Sequence, residues 1–152
     1  MAMTDATVAR NRKARHEYEI LDTVEAGLVL VGPEVKSVRE GRINLQEGYA
    51  AIERGEVYLH DVHINPYDPA GRWNVSPTRR RKLLLARREI RELDRSVSEK
   101  GLTLIPLDVH FSKGFAKVTL GLARGKRQVD KRETIRRREL DREAARARGR
   151  RR

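Results

Sequence analysis

The chain has 152 residues, with 34 Lys+Arg against 22 Asp+Glu and a formal net charge of +12. It contains no cysteine, which excludes disulfides, thiolate catalysis and Cys-ligated metal sites together. No apolar run approaches bilayer length, and the opening MAMTDATVAR lacks the apolar centre of a signal peptide, so a cytoplasmic single domain with a polyanionic partner is expected.

Residues 1–9 show no period and are expected to be disordered. Asn11-Arg12-Lys13-Ala14-Arg15 follows as a short basic patch. Tyr18 and Ile20 alternate with charged residues, and an apolar run covers 25–31. With Asp22-Thr23 between them, the pattern predicts a hairpin. Gly32-Pro33 opens a short helix, because Pro suits the first helical position and Glu34 suits the positive end of the dipole. Val35 and Val38 face inward and Gly41 ends the helix, which leaves Lys36, Arg39 and Arg42 pointing elsewhere.

A second hairpin pairs 49–52 with 57–60 across Glu53-Arg54-Gly55-Glu56. Residues 63–78 form a long loop that holds Trp73, which either stacks on a base or pins the loop to the barrel. Thr78 then caps a helix whose stripe, Leu83, Ala86, Ile90, Leu93 and Val97, recurs at three and four residues. Arg79-Arg80-Arg81-Lys82 would sit at its positive end, either inviting an outside anion or forming only a solvated turn. The last hairpin pairs Ile105, Leu107, Val109 and Phe111 with Ala116, Val118, Leu120 and Leu122. The expected fold is mainly β. It is a small closed six-stranded antiparallel barrel of the oligonucleotide-binding type over residues 10–123, with flanking short helices.

Residues 124–152 carry 14 Lys+Arg and 5 Asp+Glu, a net of +9, so most of the charge resides in a terminal arm. Phosphate attracts such an arm, and released counterions favour the complex. Asp130 and Glu133 suit a helix start, and Ala144, Ala145 and Ala147 are good helix formers. Ile135 and Leu140 are five apart and share no helix face, so no apolar stripe exists to dock the arm on a core. The arm is expected to be disordered when free and helical when a polyanion receives it, against the plainer alternative of a solvated tail.

Signs of catalysis are sparse. His60 and His63 have a spacing found in metal sites, but strand geometry puts them on opposite faces. No nucleophile elbow, phosphate loop or H-E-x-x-H occurs, so neither an enzyme activity, a metal nor a cofactor is expected. A ribosomal or initiation-factor-like RNA-binding protein and a metal-dependent nuclease are the rival classes.

Four stretches resemble one known family in order: Asn11-Arg12-Lys13-Ala14-Arg15-His16-Glu17-Tyr18, Gly32-Pro33-Glu34-Val35-Lys36-Ser37, Thr78-Arg79-Arg80-Arg81-Lys82-Leu83-Leu84-Leu85 and Gly125-Lys126-Arg127-Gln128-Val129-Asp130-Lys131-Arg132. They are similar to SsrA-binding protein (small protein B, SmpB), over about residues 10 to 146. The resemblance implies a bacterial RNA-binding factor of trans-translation. It would bind the tRNA-like domain of transfer-messenger RNA (tmRNA) and bring it, as a monomer, to stalled ribosomes for rescue. It implies an RNA-facing body set of Asn11, Lys13, Arg15, Tyr18, Glu34, Lys36, Asn44 and Lys82, to which Arg39 and Arg80 of the same basic patches are added. It implies that Gly125, Lys126, Asp130, Lys131 and Arg132, with Arg127, Arg136 and Arg137 around them, enter the decoding centre and the mRNA channel against small-subunit rRNA. Val129 stands where some members carry His or another ring, so no ring is available to stack there. Ala147 and Arg148 replace bulky apolar residues of some relatives.

Overall fold

A computed structural model of the chain describes residues 6–125, together with Arg142. In order, the elements are β1 (Ala6–Arg10), α1 (Ala14–Glu17), β2 (Tyr18–Leu28), α2 (Gly32–Arg39), β3 (Ile43–Asn44), β4 (Tyr49–Glu53), β5 (Glu56–His60), β6 (His63–Ile64), β7 (Arg81–Leu84), α3 (Arg87–Lys100), β8 (Thr103–Ser112) and β9 (Phe115–Gly125). Six antiparallel strands close a ring, β8-β4-β5-β7-β2-β9, and β9 pairs back to β8. The joint between β4 and β8 is short, with Ala50 opposite Leu104. β1 adds to β8 outside the ring, and β3 pairs with β6 separately.

Alternation along the strands fills the barrel. Val57, Leu59, Leu83, Leu104, Val109, Val118 and Leu120 are at most 1 % exposed and share one core. The turn between β4 and β5 needs two left-handed residues, Arg54 at φ 51 and Gly55 at φ 79, which matches the right-handed twist of the flanking strands. At Gly48 the backbone runs against the core, where an added Cβ would lie 2.5 Å from Val62 Cγ2.

The closed six-stranded barrel agrees with the pattern expected from the sequence, but its strands are recruited differently. The expected first hairpin is one long strand, β2. Leu21 is bulged between Ile20 and Asp22, and the residues on either side each find a partner on β9. A turn at Asp22-Thr23 is therefore not needed. The sixth barrel strand comes instead from Arg81–Leu84, which the helical stripe had claimed. Leu83 is buried and Leu84 exposed, a period of two, while the helix starts only at Arg87, with Glu89 accepting from the Ala86 N–H at 3.0 Å. Ile90, Leu93 and Val97 do pack on the core as the stripe requires.

Residues 6–9, expected to be disordered, lie in β1. The free edge of β8 receives them, and Val8 and Ala9 pack against the core. In β8 the register shifts between Pro106 and Asp108, so the even alternation over 105–111 breaks. Leu104 points into the main core while Ile105 packs with Ala14 and Ala123 beneath α1. Trp73 is 71 % exposed with Arg72 over its ring at 5.2 Å, so it does not pin the loop to the barrel. No described helix is long and apolar enough to cross a membrane.

Candidate nucleic-acid interface

The basic patch after β1 is built on two buried anchors. Ala14, the first residue of α1, is 2 % exposed. The Asn11 carboxamide donates from Nδ2 to the Pro106 carbonyl at 3.0 Å and the Leu45 carbonyl at 3.3 Å. With these two held, Arg12, Lys13 and Arg15 are left exposed around them. Arg10, Arg12 and Arg15 line a cleft of about 340 Å³, together with Asn11, Thr23, Leu107, Asp108 and Thr119. Three guanidinium groups at one cleft suit phosphate oxygens, which they bind in bidentate fashion.

Glu34 differs from the cationic members of the predicted set in being buried and hydrogen-bonded within the protein. It is 4 % exposed at the start of α2 and accepts from the Val31 N–H at 3.0 Å. Its other partners are Arg79, bound through both Nη2 and Nε, and Arg81, whose Nε lies 2.7 Å away. Arg81 is fully buried and also donates to the carbonyls of Val62 at 2.7 Å and Pro77 at 3.0 Å. Burial pushes the Arg81 guanidinium down, and the hydrogen bond to Glu34 opposes that. Glu34 and Arg81 thus tie α2, β7 and the 63–78 loop together. In the described body, the Glu34 oxygens are spent on protein donors.

Arg80 and Lys82 belong to a surface network over β4, β5 and β7. Arg80 lies 4.0 Å above the Tyr58 ring and donates to Glu53 at 2.5 Å. Lys82 donates to Glu56 at 3.0 Å, and the Tyr58 hydroxyl donates to the same carboxylate at 2.8 Å. His60 bonds Glu53 at 2.7 Å and stacks on Tyr49 at 5.1 Å. The hydrogen bond from His60 holds the Glu53 carboxyl below its ordinary value, and Lys82 does the same for Glu56. Both cations therefore enter any RNA contact from an existing ion pair, which limits the net gain.

On α2, Lys36 and Arg39 are exposed, and Arg39 sits 5.5 Å over the Phe111 ring. Asn44 is exposed and accepts from the Gln46 N–H at 2.9 Å, which shapes the turn after β3. Tyr18 is half-buried and stands opposite Gly125 at the end of β9. Lys126, Arg127, Asp130, Lys131, Arg132, Arg136 and Arg137 lie outside the described residues. His63 is exposed while His60 is engaged with Glu53, and among the described residues no group of three His, Cys, Asp or Glu could hold a metal.

The outer face of β2, β8 and β9 carries groups that the sequence pattern did not single out. His110 bonds Asp108 through Nδ1 at 2.8 Å and Glu25 through Nε2 at 3.1 Å, and Lys117 Nζ is 3.7 Å from Glu25. Phe115 of β9 at 70 % exposure, and Leu84 of β7 at 55 %, are large apolar side chains left in water. The only signal for these in the sequence was their place at outward positions of an alternating strand, which any surface residue shares.

A closed β-barrel with an arginine-lined cleft and a strongly basic terminal arm defines an RNA-binding protein of the barrel class. The family model described as SmpB protein matches residues 8–150. The chain is 57% identical over 139 residues to the SsrA-binding protein of Streptococcus suis, covering 91% of this chain and 90% of that one. It is 55% identical over 142 residues to the SsrA-binding protein of Levilactobacillus brevis, covering 93% and 90% of the two chains. A solved structure from work described as "tmRNA-SmpB: a journey to the center of the bacterial ribosome" is 50% identical, with a TM-score of 0.69, covering 85% of this chain and 94% of that one. The chain belongs to the SmpB family.

Proposed function

We propose that this protein binds tmRNA through its tRNA-like domain and delivers it to stalled bacterial ribosomes for trans-translation. The observation that carries the reading is the 50% identical solved relative, 94% of which the match covers, from work whose description names tmRNA-SmpB and the bacterial ribosome. The arginine-lined cleft beside Asn11 supports it, as does the concentration of charge after residue 124. The barrel supplies the tmRNA-binding surface, and the arm enters the decoding centre and mRNA channel. The protein acts in the cytoplasm, where ribosomes stall, as a binding factor rather than a catalyst.

Identification of the RNA that travels with the purified protein tests this against the ribosomal-protein alternative. A single species of tmRNA size is expected. Mature ribosomal RNA in its place would overturn the reading. A chain ending at residue 125 should keep most of the tmRNA affinity, and that affinity should fall steeply with salt because phosphate contacts release counterions.

A further inference from the structure

Trp73 is the only tryptophan of the chain, and it stands 71 % exposed on a loop that is held at both root and tip. At the root, the buried Arg81 donates to the Val62 carbonyl at 2.7 Å and the Pro77 carbonyl at 3.0 Å, and the Ile64 N–H donates to the Pro77 carbonyl at 2.9 Å. At the tip, Asn74 staples the turn. Its Nδ2 donates to the carbonyls of Tyr67 at 2.9 Å and Gly71 at 3.0 Å, and its Oδ1 accepts from the Tyr67 N–H at 2.8 Å. The exposed indole is thus the neighbour of a fixed residue. A ligand that meets it has little loop left to order, which favours binding.

The chemistry beside the ring selects the ligand. The Arg72 guanidinium lies over the indole, 5.2 Å from the ring centre. Arg72 is exposed, and among the described residues no ion pair involves it. Asp68, the only acid between residues 63 and 78, opens the turn that Trp73 closes. Trp73 remains 71 % exposed with Arg72 over it, so a flat apolar surface is available next to an unspent cation. An apolar protein surface laid on the indole would bury that cation without a counter-charge. A nucleotide satisfies both groups: its base stacks on the indole and its phosphate meets Arg72. The faces of a paired base are covered by its neighbours in the helix, so the base must be unpaired.

We propose that Trp73 and Arg72 form a stacking platform for an unpaired nucleotide of single-stranded RNA, with Asn74 as the residue that positions it. The platform shares no residue with the arginine-lined cleft and does not depend on which RNA the barrel binds.

The emission of full-length protein reports on Trp73 alone. Single-stranded oligouridylate should quench it strongly. A blunt RNA duplex of the same length should leave it nearly unchanged at saturation, with binding followed by the anisotropy of a dye on the RNA. Trp73→Ala should weaken oligouridylate binding about five-fold or more, the worth of one stacked base, and leave duplex binding unaltered. Trp73→Phe should recover most of that affinity, whereas Trp73→Leu, apolar but without a ring, should not. Unfolding temperatures should match the parent, since the side chain is exposed. Unquenched emission at saturation with oligouridylate would overturn the platform, as would equal quenching by the duplex. Trp73→Leu binding as tightly as Trp73→Phe would make the site an apolar contact and end the proposal. Affinity of the parent for tmRNA is read separately: its absence would remove the proposed function and leave the platform standing.

Discussion

Glu34 is an acid within a basic molecule, and its surroundings decide its role. Resemblance alone placed it among RNA-facing residues, whereas the barrel encloses it with Arg79 and Arg81. Glu34→Gln keeps the shape but leaves the fully buried Arg81 guanidinium without its counter-charge. Removing one partner of a buried pair costs about 3–5 kcal/mol. Thermal unfolding should therefore drop sharply, while tmRNA affinity of the still-folded fraction, measured well below the transition, stays near that of the parent. An intact melting temperature with lost affinity would return Glu34 to the RNA. His110 makes a pH-dependent contribution. Burial opposes its charged form, but the hydrogen bonds to Asp108 and then Glu25 outweigh this, and its pKa is raised. A raised value stabilises the fold fully below the unfolded value of about 6.5, and the gain disappears as pH climbs through the folded value. Denaturant unfolding of parent and His110→Gln should differ most on the acid side and converge under mildly alkaline conditions. A difference that grows with pH would mean that His110 acts as a neutral packing group. The ion pairs were not visible in the sequence, because the cationic partners of Glu34 lie 45 and 47 residues away and Glu25 lies 85 from His110.

At the level of elements, local patterns were read correctly wherever one period dominated. The β4–β5 hairpin, α2 with its Pro33 start, and the turn end of the β8–β9 pairing, where Val109 faces Val118 and Phe111 faces Ala116, follow from alternation and turn residues that no distant contact overrides. The reading failed where two periods overlap. Leu83 fits both the helical stripe through Leu93 and the two-residue alternation of β7. Burial of Arg81 decided between them, and only its distant partners Glu34, Val62 and Pro77 make that burial tolerable. β1 was missed for the converse reason: Ala6–Arg10 has little pattern of its own and takes its shape from the edge of β8. Gly48 tests how firmly the segment before β4 is set. A methyl group there meets Val62 Cγ2 at 2.5 Å, with the Leu45 carbonyl and Pro106 Cγ both at 3.1 Å, so the core must shift. Gly48→Ala should cost about 1–3 kcal/mol, read as a lower denaturant midpoint at unchanged slope. A neutral substitution would show that β4 and its joint with β8 can move apart freely.

Across the whole molecule, charge is divided between a nearly balanced body and an arm of net +9. That division was legible from composition, and so was the RNA-binding class. The identity of the RNA was not, because phosphate attracts any basic arm alike. Division of charge implies division of labour: recruitment by the barrel and accommodation by the arm. Asp130-Lys131-Arg132 tests the second task. Asp130 suits a helix cap, while two cations in a first helical turn oppose the helix dipole in water. A polyanionic channel reverses that penalty and offsets ordering entropy of roughly 1–2 kcal/mol per residue. Replacing all three residues with alanine should leave the unfolding temperature and tmRNA affinity within error of the parent, since the arginine-lined cleft and the Glu34–Arg81 pair are untouched. Tagging of stalled chains should fall to background, because the complex still arrives but the arm is not received at the decoding centre. Affinity and tagging must be measured on the same preparation. Normal tagging would remove these residues from accommodation, and a fall in tmRNA affinity matching the lost tagging would make the arm part of recruitment.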